Sequence, residues 1–233
     1  MTLTQKFAVL VAVPVVGVVV LVGWAGWTMR STSRAVDGMV NAQFLPLLDE
    51  QILPLLKNEM IPLIDEDVAR LTRLNQSMQL MLEADRDMHQ AVIAEKLCLV
   101  AKDKAFEEAD QFNAENIEQA AKRVAKAADL FDTPEPKDLY TRYQAAFAQW
   151  KELTRAVITD AREESTLARA QASTNGGDAQ TAFNDARGIL DNIQNLQYGQ
   201  IEKLMAQVNE RRALINQNQA AVEKSRGAVV GEA

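Results

Sequence analysis

Asp85 lies on a helical-period apolar stripe of Leu71, Leu74, Met78, Met81, Met88 and Val92, so its carboxylate is predicted to face a protein interior. A buried carboxylate without a partner is costly. Arg123, in the next apolar-periodic segment, is the candidate cation, and the pair reads either as a bridge fixing helix register or as part of a ligand contact. Arg86 lies around the same helix as a separate candidate. His89, four residues after Asp85, can reach it on the same side. A lone histidine at a helix seam is ordinarily structural, with pH sensing as the minority alternative. Arg70 and Arg73, three apart, present two guanidinium forks that could hold a carboxylate ligand; pairing with Asp67 or Glu66 is the plainer reading. Tyr140, Tyr143, Phe147 and Trp150 form an aromatic stripe. Core packing is its default role, with Tyr143 and Trp150 as candidate contacts of a small-molecule pocket.

Other chemistries find little support. The chain has one histidine and one cysteine, Cys98, which rules out a paired His/Cys metal site or an intrachain disulfide. The apolar flanks of Cys98 mark it as core filling. No glycine-rich phosphate loop precedes a helix, and no Glu-x-x-His pair exists for a di-metal bundle site. An enzyme, a metal and a cofactor are therefore not expected. A net charge of −7, without a Lys/Arg cluster, disfavours nucleic acid as a partner.

The elements that must position these groups are helices. Ten glycines occur in 233 residues, yet residues 39–175 contain none, whereas sheet-rich folds need glycine at turns and bulges. Apolar residues recur at three- and four-residue steps, with breaks at TPEP (residues 133–136), at NGGD (175–178) and, from a change of apolar phase, at AKDKA (101–105). The expectation is an all-α chain: an antiparallel up-down four-helix bundle over 65–233, with helices at about 65–101, 106–132, 136–174 and 178–226. Ahead of it, 30–64 contains most of three octads, FLPLLDEQ, ILPLLKNE and MIPLIDED, whose prolines predict an interrupted helix.

Residues 7–27 carry no charge and end in Trp24 and Trp27, long enough at about 1.5 Å per residue to cross a bilayer. A transmembrane helix over 7–29, after a short tail at 1–6, is expected rather than a cleaved signal peptide, because tryptophans occupy the cleavage zone. Charge on the two flanks leaves orientation open.

Residues 82–95, LEADRDMHQAVIAE, resemble the first-helix motif of the four-helix-bundle ligand-binding domain of bacterial methyl-accepting chemotaxis proteins, in which ADRD-x-Y-Q-A is common. His89 stands in the tyrosine position. Residues 114–124, AENIEQAAKRV, are similar to that family's second-helix signature. The proline octads have no counterpart in it. The resemblance implies a homodimeric sensor in the inner membrane, its bundle on the periplasmic side, responding to an amino or organic acid or to a periplasmic binding protein. It implies a fragment whose continuation crosses the membrane to a cytoplasmic signalling domain. A histidine-kinase output and a membrane-tethered helical scaffold are the alternatives.

Overall fold

The computed structural model describes Glu50, Pro54 and residues 56–231. The expected tail, membrane helix and first octad lie outside these residues, apart from Glu50. Among the described residues the chain is all-α, without a strand, and no helix is long and apolar enough to cross a membrane. A π-helical turn, Leu56–Met60, leads into α1 (Ile61–Cys98), followed by α2 (Asp103–Ala128), α3 (Pro134–Ala161), α4 (Glu164–Thr174) and α5 (Asp178–Gly231).

Pro62 is the second residue of α1. A proline lacks the N–H and crowds the carbonyl four residues earlier, here Asn58, which lies in the wider π turn. The third octad therefore carries its proline at the junction where the π turn passes into α1.

Two compact units are present, and each stands by itself. In the smaller one, residues 56–67 and 208–231, the Arg211 guanidinium donates to the Leu63 carbonyl at 3.4 Å and ion-pairs with Asp67. Met60, Ile64, Val208, Ile215 and Val222 are buried there.

The larger unit, residues 68–207, is a helical bundle whose directions follow from its bonded pairs. Ser77 donates to the Ala127 carbonyl and Asn113 to the Ala91 carbonyl, so α1 and α2 run antiparallel. Arg155 meets Asp110 near one end of α2 and α3, and Phe131 meets Tyr140 near the other, so these two are antiparallel as well. Arg187 with Asp85, and Leu74 with Ile201, set α5 antiparallel to α1.

The core repeats a three–four spacing on every helix. Met81, Ala84, Met88 and Ala91 of α1 and Ile117, Ala120, Val124 and Ala127 of α2 meet Tyr143, Phe147 and Trp150 of α3 and Phe183, Ala186, Leu190 and Ile193 of α5. Alanines on α1 and α2 leave room that the α3 aromatics fill, large against small. Trp150 and Phe147 stack edge to face with centroids 5.3 Å apart, and Trp150 and Phe183 at 5.4 Å.

The third column differs from expectation. A single helix over 136–174 was predicted, but α3 stops at Ala161 and the chain reverses through Arg162 and Glu163. Arg169 pairs with Asp160, and Ala170 packs against Val157, so α4 folds back along α3. The turn has neither Gly nor Pro. It is held by Thr166, whose hydroxyl donates to the Glu163 carbonyl at 3.2 Å, and by acidic Glu163 and Glu164 at the N-terminus of α4, where the helix dipole favours them. The predicted break at 175–178 is present. Gly176 has φ of +99°, and a Cβ on Gly177 would lie 2.5 Å from the Ala172 carbonyl oxygen, so both glycines are dictated by the backbone. Between α1 and α2, where glycine is absent, Asp103 takes the left-handed conformation at φ of 50°.

Candidate functional site

Of the residues singled out from sequence, the expected Asp85–Arg123 pair is corrected. Asp85 is only half-buried and accepts from Arg187 Nε of α5 at 2.9 Å. The hydrogen bond to Asp85 raises the Arg187 pKa, against the opposing pull of desolvation. His89 also leans on Asp85: Nδ1 lies 2.9 Å from its carbonyl oxygen and 3.6 Å from a carboxylate oxygen, while the ring meets Phe183 edge-on. Arg123 instead bridges Glu83, at 3.0 Å, and Asp87, whose side chain is 1% exposed. The physical reason is a rotation of the buried face. A stripe drawn through large apolar residues alone omits Ala84, Ala91 and Ala94, all fully buried. Counting them turns the interior toward Asp87 and leaves Asp85 at its border.

The five ligand candidates do not converge. Arg70 pairs with Asp132 in the α2–α3 loop, rather than with Asp67 or Glu66. Arg73 is exposed. Arg86 is largely exposed, with a 3.4 Å contact to Asp87. Tyr143 and Trp150 are core residues joined through Phe147. The Tyr143 hydroxyl donates to Met88 Sδ at 3.5 Å, and burial pushes its phenol well above the ordinary value.

Sequence reasoning passed over a second buried carboxyl, Glu95, also 1% exposed. It sits two turns after Met88, on the alanine side of α1. The Thr154 hydroxyl of α3 donates to Oε2, and the Thr174 hydroxyl, on the last residue of α4, donates to Oε1. Asn113 Nδ2 of α2 reaches Thr154 Oγ1 at 3.5 Å as well as the Ala91 carbonyl at 2.8 Å. All four side chains are buried. Burial raises the Glu95 pKa above the usual 4.5, against the opposing pull of the two threonine hydroxyls and Lys96. Its signal in the sequence is the buried spacing 81, 84, 88, 91, 95, 98, which appears once alanine counts as apolar.

Beside this cluster, Asp110 binds Arg155 at 2.5 Å and Arg162 at 2.7 Å; Arg162 also binds Glu107 and covers the Phe106 ring at 4.6 Å. Cys98 is buried against Phe106, Ala109 and Ile158. Burial first, then Asp110, pushes its thiol up to about 11, so it is neutral and unreactive at neutral pH. Among the described residues no group of His, Cys, Asp and Glu side chains could hold a metal ion. No family model, curated protein or solved structure matches the chain.

Proposed function

We propose that this chain is the extracytoplasmic ligand-sensing region of a membrane-anchored chemoreceptor, an up-down four-helix bundle behind a transmembrane helix over 7–29. One observation carries the reading. The two segments that resemble chemoreceptor sensor motifs, 82–95 on α1 and 114–124 on α2, lie side by side and are tied together by Arg123 to Glu83 and Asp87. This contact supports the reading because it joins the two motif segments across adjacent helices.

The proposed signal is a small displacement of α5 relative to α1, biased by an amino or organic acid or by a periplasmic binding protein. That bias cannot exceed the ligand's differential affinity for the two positions. A symmetric homodimer is part of the proposal. Leu82, Ile93 and Leu97 of α1, and Tyr198 and Met205 of α5, are exposed large apolar residues on faces turned away from the core.

The test is calorimetry of the full chain in detergent micelles against amino and organic acids, with sedimentation to read oligomeric state. Saturable heat with one ligand class and a dimer is expected. A monomer with no heat for any of them overturns the reading. The scattered placement of Arg70, Arg73 and Arg86 favours a second reading, a membrane-tethered scaffold, for which a stable oligomer without ligand heat is the expected result.

A further inference from the structure

We propose that Glu95 is a proton-binding site whose occupancy latches the short helix α4 onto α1 and α3. The inference stands on the fold alone and is independent of the sensing proposal.

The geometry is that of a latch. Helix α4 is eleven residues long and flanked by two breaks, Arg162–Glu163 and Asn175–Gly177. Its final residue, Thr174, supplies the side-chain hydrogen bond that joins it to α1, and that bond ends on Glu95 Oε1. The other carboxyl oxygen is held by Thr154 of α3. One side chain thus gathers α1, α3 and the end of α4 beside the joint between α4 and α5.

Both threonine hydroxyls donate to Glu95, but among the described residues only Thr154 has a second side-chain donor that fixes this polarity. Thr154 Oγ1 accepts from Asn113, which directs the Thr154 hydroxyl hydrogen toward Glu95. Among the described residues no second side chain donates to Thr174 Oγ1, so its hydroxyl can turn away and the oxygen accept a proton carried by Glu95. The neutral acid therefore donates to Thr174 and accepts from Thr154, with both oxygens satisfied. The carboxylate would hold an uncompensated charge in the same place.

Among the described residues no cationic side chain makes an ion pair with it. On α1, Lys96 favours the charged form from an exposed position, and Cys98 is a neutral thiol. On α2, Asp110 is tied to Arg155 of α3 and to Arg162, and Glu107 to Arg162. Asp160 of α3 is tied to Arg169 of α4. Asp178, at the start of α5, is exposed.

A carboxyl whose folded-state pKa is raised stabilises the fold fully below its unfolded value, here about 4.5, and that contribution is lost as pH rises through the raised value. The latch is closed in acid and opens as pH rises.

Hydrogen exchange on the full chain in micelles, between pH 5 and 8 and corrected for intrinsic exchange, reads this directly. Opening of residues 164–174 relative to α2 should increase tenfold or more with pH in the native chain. Glu95→Gln should hold the ratio at its acid value throughout. Thr174→Val should loosen α4 at both extremes and flatten the response. A constant ratio in the native chain overturns the proposal, as does a pH response that survives in either variant. Should Glu95→Gln fail to fold, the native ratio and Thr174→Val still decide.

Discussion

Asp87 and Glu95 stand eight residues apart on α1, each with 1% of its surface exposed, and the bundle treats them in opposite ways. Asp87 meets a guanidinium, Arg123, which Glu83 also holds. Glu95 meets two hydroxyls and, among the described residues, no ion-pairing cation. One part of α1 therefore buries a carboxylate against a partly exposed guanidinium, and the other buries a carboxyl whose pKa is raised by desolvation. Burial of a carboxyl does not by itself say which solution a helix has adopted; the neighbouring helix decides, through what it offers at the same level.

The contrast can be broken at several points. The largest effect is expected from Arg123→Met, which leaves the buried Asp87 with only the largely exposed Arg86 at 3.4 Å; about 3 kcal/mol of unfolding free energy should be lost in a denaturant titration. The double variant with Asp87→Leu should recover much of it, because replacing both charges by apolar groups removes the desolvation penalty. Gly177→Ala should cost about 1–3 kcal/mol by the same measurement, since its Cβ would strike the Ala172 carbonyl. Thr154→Val should cost about 1–2 kcal/mol, by removing the donor to Glu95 and the acceptor of Asn113. The smallest change is expected at the half-exposed Asp85–Arg187 pair: Arg187→Gln should shift stability by about 0–1 kcal/mol, and less at high salt. A large effect there would mean that the border of the bundle, not its interior, holds α1 to α5.

How much of this was legible in the sequence follows from which residues were counted. Helical class, the two proline- and glycine-marked breaks and the aromatic stripe of α3 were readable because large apolar side chains and turn formers carry a strong local signal. The α1–α2 break at 101–105 was readable from phase, though its left-handed residue proved to be Asp103 rather than glycine. The misassigned ion pair has a single cause: alanine was left out of the α1 stripe, which moved the inferred interior by about one residue. Glu95 was hidden for the same reason. The early end of α3 was hidden because Ala161–Glu163 has no breaker, and the reversal depends on Asp160, Thr166 and Arg169 meeting after the turn has formed. The scattered arginines show the limit of spacing arguments on a helix surface. Three residues apart places two guanidiniums on one face, but the partner of Arg70 came from a loop 62 residues away.

The glycine pair ahead of α5 has a mechanical consequence. Because α4 and α5 are separate pieces joined by Asn175, Gly176 and Gly177, a small axial slip of α5 can be taken up by three residues of backbone. The α3–α4 hairpin need not follow. An uninterrupted rod would carry its whole length along; here the two pieces meet at a three-residue joint.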